Sequence, residues 1–135
     1  MIVLDSSFLI AFHNERDNHH PAARTLMDAF LADQWGRGLL LEYVFLEVVT
    51  VLLLRRDLAT ATHVGRILLT AQELDFVPCS DFFLETTEAF SRQSQTRLSF
   101  TDVAIAKVAR ERADGLVATF DEEFRKVPGL HVLPQ

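Results

Sequence analysis

Short apolar runs alternate with longer helical stripes along the chain, and this alternation limits the fold more than any other feature. Ile2-Val3-Leu4 comes first, followed by Leu39-Leu40-Leu41, Phe76-Val77, Leu116-Val117-Ala118-Thr119 and His131-Val132-Leu133. Runs this short and continuous suit strands buried on both faces of a parallel sheet. Between them, apolar residues recur at helical spacing from Ser7 to Phe12, Pro21 to Ala32, Tyr43 to Arg56, Leu58 to Glu73, Ser80 to Phe90 and Ser99 to Ala113, with a helical turn from Asp121 to Lys126. Strands alternating with helices predict a parallel sheet with right-handed crossovers and helices on both faces, a three-layer α/β/α sandwich. Around the Tyr43 to Arg56 helix, Val44, Phe45, Val48, Val49, Val51, Leu52 and Leu53 occupy most of the circumference, which predicts a central position.

The size and composition fit one packed domain over residues 1–135, with 49% hydrophobic residues and 11 phenylalanines to fill a core. A single cysteine, Cys79, excludes an intramolecular disulfide and a cysteine-based zinc site, so cytoplasm is the expected compartment. Asp5 interrupts the N-terminal apolar run and no basic segment precedes it, unlike a signal peptide. The stretch Val48 to Leu54 ends at Arg55-Arg56 and is too short to span a bilayer, so no membrane role is expected. A net charge of −6 argues against a simple electrostatic nucleic-acid binder. It leaves room for a nuclease whose acidic site is neutralised by metal ions.

Four acids stand in apolar surroundings at element ends. Asp5 follows the first strand, Glu47 lies in the early turns of the Tyr43 helix, Asp102 lies in the first turn of the Ser99 helix, and Asp121 follows the fourth strand. Taken singly, Asp5 and Asp121 could be helix caps and Asp102 a partner of the helix dipole. In a parallel sheet, however, strand ends and the starts of following helices share one edge, so all four would meet there. Packed carboxylates must take up protons or bind cations. Oxygen-only ligands favour Mg²⁺ or Mn²⁺, and two such ions would cancel about four negative charges while activating water against a phosphodiester. Ser6, Ser7, Ser99, Thr101 and Thr119 are candidate donors to hold the carboxylates in place.

These residues resemble the PIN-domain ribonucleases, and among them the VapC-type toxins of toxin–antitoxin pairs. The resemblance rests on Val3-Leu4-Asp5-Ser6-Ser7, on Val44-Phe45-Leu46-Glu47-Val48 leading to Leu54-Arg55-Arg56, on Leu98-Ser99-Phe100-Thr101-Asp102 before Ala104-Ile105-Ala106, and on Ala118-Thr119-Phe120-Asp121 with Phe124. It covers the whole chain and implies a five-stranded parallel sheet in the order 3-2-1-4-5. It also implies Mg²⁺-dependent cleavage of single-stranded RNA, metal binding by Asp5, Glu47, Asp102 and Asp121, and supporting roles for Ser7, Ser99 and Thr119. A homodimer bound by an antitoxin protein follows from the same resemblance, and the apolar excess on the Leu39 to Leu54 and Leu58 to Leu69 segments fits such an interface. Glu42 departs from the pattern, standing where relatives commonly carry a small hydroxyl residue.

Among the basic residues, Arg97 is the candidate phosphate contact because it precedes the Asp102 helix. His13, His19 and His20 with Asp17 match no helical ligand spacing and read as a solvated loop. Phe82, Phe83 and Phe90 follow helical spacing and read as packing residues. Two other functions compete with a ribonuclease. One is a PIN-like binding module without catalysis, against which the four acids argue, since their repulsion without metal only destabilises. The other is a phosphotransferase of haloacid-dehalogenase type, which needs an acid two residues after the first, where this chain has Ser7.

Overall fold

The computed structural model describes residues 1–135. Strand β1 (Ile2–Leu4) leads into helix α1 (Ser6–His13) and helix α2 (His20–Leu31), then strand β2 (Gly38–Leu41) and helices α3 (Glu42–Arg55) and α4 (Leu58–Thr70). Strand β3 (Leu74–Val77), a 3-10 turn (Ser80–Phe82) and helices α5 (Phe83–Ser91) and α6 (Phe100–Arg112) follow. Strand β4 (Leu116–Ala118), a second 3-10 turn (Glu122–Lys126) and strand β5 (His131–Leu133) complete the chain. The five strands form one all-parallel sheet in the expected order, β3-β2-β1-β4-β5.

β1 is the centre of the sheet, with Val3 paired to Leu39 of β2 on one side and to Val117 of β4 on the other. Its residues are buried on both faces, which is why an uninterrupted apolar run is tolerated there. Packing sets the remaining choices locally. A Cβ at Gly38 would lie 2.7 Å from Leu74 Cδ2 and 2.8 Å from Phe30 Cζ, so β2 begins on a residue without one. Gly115 adopts φ +82°, and a Cβ there would clash with the Gly129 carbonyl oxygen. Asp57 caps α4 by accepting the Thr60 amide at 2.7 Å, and Ser99 caps α6 by accepting the Asp102 amide at 3.1 Å.

Three expectations need adjustment. β3 starts at Leu74 rather than Phe76, because Leu74 and Asp75 pair with Gly38 and Leu39 of the neighbouring strand. The helix expected from Ser80 is broken: a 3-10 turn ends at Phe82 and α5 starts at Phe83. The largest difference concerns α3. It packs against α1 and α4 but buries only Val44, Val48 and Leu52, one i, i+4, i+8 stripe. Leu46, Leu53 and Leu54 are exposed, the last at 78%. The helix is therefore not central: one chain supplies no neighbour for its third side.

Candidate metal centre

The site begins with the geometry of β1. The strand ends at Leu4, so Asp5 emerges at the carboxyl edge between the loops that follow β1 and β4, and it is 3% exposed. It stands at the N-cap position of α1, but its side chain makes no capping bond. Instead, Asp5 Oδ2 accepts two hydroxyl protons, from Ser7 at 2.8 Å and from Thr119 at 2.6 Å. Each hydroxyl then accepts a backbone amide of the loop after β4: Phe120 N donates to Ser7 Oγ at 2.9 Å, and Asp121 N to Thr119 Oγ1 at 2.9 Å. Both donors are thus oriented by the chain they brace. Asp5 Oδ1 has a long 3.4 Å contact from the Ser6 hydroxyl, and the Ser6 backbone amide also favours the ionised carboxyl; Oδ1 is the less committed oxygen, with room for a cation.

The other acids surround this one unequally. Asp121 caps the second 3-10 turn through Oδ1, which accepts the Glu123 amide at 3.0 Å, so the capping role and a place at the edge coexist. Asp102 lies in the first turn of α6, half-buried, and its pKa is pushed up to about 7. Burial is the main cause; the negative charges of Asp5 and Asp121 add to it, the Ser99 hydroxyl opposes it, and Glu47 contributes a further push. The Asp5 carboxyl is raised as well, first by burial, with Thr119 and Ser7 pulling it down and Asp121 pushing it up. No basic side chain figures in either balance. The edge therefore concentrates negative charge with no cation of its own to offset it.

Glu47 departs from its sequence setting. Its apolar neighbours suggested a sheltered carboxylate, yet it is exposed, on a groove shared with Tyr43, Leu46, Thr50, Val51 and Thr101. Asp102 still feels its charge. As they stand, no three of the acids converge tightly enough to enclose an ion. Asp5 Oδ2 and Asp121 Oδ1 are engaged in hydrogen bonds instead. An all-oxygen donor set with surplus negative charge and a less committed Asp5 Oδ1 fits a hard divalent cation that keeps several waters.

The supporting residues separate into two kinds. Ser7 and Thr119 hold Asp5 directly, whereas Ser99 acts through the α6 cap. Arg97 is exposed; Glu123, not any of the four acids, feels it, being lowered chiefly by Lys126 with a smaller contribution from the Arg97 backbone and charge. Glu42, the departure from the family pattern, is engaged structurally: its Oε1 accepts the Cys79 amide at 2.9 Å and ties the start of α3 to the loop after β3. The histidine segment is not merely a solvated loop. His13 closes α1, and burial, with His63 nearby, lowers its pKa to about 4. His20 Nδ1 pairs with the Ala11 carbonyl at 2.7 Å, while exposed His19 stacks on Phe120 with centroids 4.4 Å apart. Phe83 and Phe90 pack against Phe100 beside the site and remain half-exposed. Tyr43 and Thr50, which flank Glu47 at helical spacing, were not singled out from the sequence, although i−4 and i+3 positions share its face.

A model of the PIN domain family matches residues 2–130 of this chain. Among solved structures, the VapC20 toxin of Mycobacterium tuberculosis, described as a Sarcin-Ricin loop cleaving toxin, superposes with a TM-score of 0.84 at 22% identity, covering 96% of this chain and 97% of that one. VapBC2 from Rickettsia felis, solved bound to a DNA fragment from its promoter, gives a TM-score of 0.65 at 15% identity over 98% of this chain and 97% of that one. No curated protein matches by sequence.

Proposed function

The chain belongs to the PIN-domain family, and from that premise we propose that it is a Mg²⁺- or Mn²⁺-dependent endoribonuclease, the toxin of a toxin–antitoxin pair. The observation that carries the reading is the uncompensated carboxylate edge built on Asp5, with Asp102 raised to about 7 by burial and by its acidic neighbours. Asp5, Asp102, Asp121 and Glu47 would hold the cation, Asp5 through the oxygen that Ser7 and Thr119 leave free. When bound, such an ion lowers the pKa of a coordinated water and offsets charge on a phosphodiester. Ser7 and Thr119 would hold the Asp5 carboxylate in place, Ser99 the first turn of α6, and exposed Arg97, just before that helix, would contact a substrate phosphate.

Partners follow from the surface and from the similar structures. Between α3 and α4, Phe45, Val49 and Leu53 face Leu58, Ala61 and Leu69 across an apolar groove of about 390 Å³. That surface supports a homodimer or an antitoxin contact, and the resemblance to the VapBC2 complex supports an antitoxin. No helix is long and apolar enough to cross a membrane.

The test is cleavage of a panel of single-stranded and structured RNAs, a ribosomal sarcin–ricin hairpin among them, with and without Mg²⁺. Cleavage that requires the metal and is abolished in Asp5→Asn and Asp102→Asn, with the circular dichroism of both variants unchanged, is the expected result. Undiminished cleavage by both purified variants sinks the assignment, and an intact protein that binds but never cuts favours a non-catalytic PIN module.

A further inference from the structure

α6 and the second 3-10 turn run away from the acidic edge, and each changes sign along its length. α6 carries Asp102 in its first turn and Lys107 and Arg110 further on, Arg110 standing about 12 Å along the axis from Asp102. The 3-10 turn follows Asp121 and ends at Arg125 and Lys126. Cations at helix C-termini are ordinary. Here, however, Lys107 and Arg110 of α6 and Lys126 of the 3-10 turn line one groove of about 460 Å³, which Arg92 joins from the loop after α5, while Arg125 donates instead to the Pro134 carbonyl. None of the 14 residues lining this groove is acidic, in a protein whose net charge is −6.

The groove is braced rather than loose. Gln93 Nε2 donates to the Leu98 carbonyl at 3.0 Å, while its Oε1 accepts the Leu98 amide at 2.7 Å and the Thr96 hydroxyl at 2.8 Å. This carboxamide holds the loop from Arg92 to Leu98 as one wall. The cations are only lightly committed. Arg110 donates to the Pro128 carbonyl at 2.9 Å and pairs with no carboxylate. Lys126 meets Glu123 at 2.6 Å and Arg92 meets Glu88 at 3.7 Å, exposed pairs of the kind that contribute little and yield to a competing phosphate. Lys107, shared between Glu85 and Glu111, is the best compensated.

We propose that this groove, lined by Arg92, Lys107, Arg110 and Lys126, holds the phosphodiester backbone of the RNA strand beyond the cleavage point. The inference rests on the ribonuclease reading. It also answers a difficulty in that reading: an acidic protein with an acidic centre must attract a polyanion somewhere, and the same two elements that present the acids present the cations. Contacts to phosphate position a strand without reading its bases, so the groove sets affinity and register rather than sequence preference.

The experiment measures KM and kcat for a single-stranded RNA at several salt concentrations, using the intact chain, Arg110→Gln, Lys126→Gln and, as a charge-matched control on α2, Arg24→Gln. Each groove variant is expected to raise KM several-fold, to leave kcat at saturation unchanged, and to reduce the slope of log affinity against log salt by about 0.7, the value of one phosphate contact to a single strand. Arg24→Gln leaves all three unchanged. Anisotropy of a labelled RNA on Asp5→Asn, with and without each groove substitution, reads the same loss independently of turnover. If Arg110→Gln and Lys126→Gln both retain KM and salt slope while the intact protein cuts RNA, the groove assignment is wrong and the ribonuclease reading stands. If the intact protein neither cuts RNA nor, as Asp5→Asn, binds it, both fall together.

Discussion

Helix α1 has a sheltered titratable group at each end, buried Asp5 before its first residue and half-buried His13 as its last, and the two are accommodated in opposite ways. Burial raises the Asp5 carboxyl and lowers the His13 imidazole to about 4, so each is driven toward its neutral form. His13 sits beside Phe12, edge-on at 4.9 Å, and lines an apolar cavity with Leu4, Leu9 and Met27. Its nearest charge partner is His63, another potential cation. Losing one proton resolves every conflict at that end. At the other end, Asp121 pushes Asp5 up, and Asp5, Asp121 and Glu47 together push Asp102 up. Protonating a single carboxyl leaves the remaining acids unpaired. A half-buried neutral histidine thus fits plain packing, whereas mutually repelling carboxylates, one of them held by two hydroxyls, fit the cation-binding role proposed above.

The sharpest way to break this contrast is to remove the hydroxyls that hold Asp5. Ser7→Ala combined with Thr119→Val takes away both donors to Oδ2, and RNA cleavage should fall about 10- to 100-fold, with more Mg²⁺ needed for half-maximal rate. His13→Leu, at the far end of the same helix, should leave rate and metal requirement unchanged. A steady-state assay over a Mg²⁺ series checks both; equal losses in the two variants would erase the distinction.

A smaller effect separates the two ends by its sign. Asp102 binds its proton more tightly folded than unfolded, so metal-free stability contributed by this group falls as pH rises from about 4 to about 7. His13 binds its proton less tightly folded than unfolded, so its contribution is fully present above about 6.5 and is lost as pH falls toward about 4. Asp102→Asn should therefore stabilise the metal-free protein at pH 8 by about 1–2 kcal/mol, below a full conversion of the shift because the side chain is partly solvated, and by almost nothing at pH 4. His13→Leu should instead flatten the loss of stability between pH 6.5 and 4. Urea unfolding in chelator at pH 4, 6 and 8 measures both, and a common direction for the two variants would contradict the comparison.

Much of this contrast was legible from residues in order. Ile2-Val3-Leu4, Leu39-Leu40-Leu41 and Leu116-Val117-Ala118 are buried strands because a central parallel strand needs apolar side chains on both faces, and nothing else suits so short a run. The placement of Asp5 and Asp121 at one edge followed from strand direction alone. Less could be read where neighbours decide. α3 is apolar nearly all round, but which side stays uncovered depends on α1 and α4, and Leu54 gives no hint of its exposure. Glu47 follows the same logic: apolar flanks along the chain do not make apolar surroundings in space. His13 was misread as solvent-facing because its burial comes from a cavity assembled from α2, α4 and β3 as well as α1. Glu42 could not be resolved by pattern, since its partner, the Cys79 amide, lies 37 positions away along the chain.

The central claim is that the carboxylate edge takes up a divalent cation, and calorimetric titration of Mn²⁺ into the purified protein at pH 8 tests it most directly. The intact chain should bind the ion, and Asp5→Asn and Asp102→Asn should each lose or severely weaken that binding, while His13→Leu binds as the intact chain does. Absence of binding to the intact chain, or undiminished binding by both aspartate variants, would contradict the account.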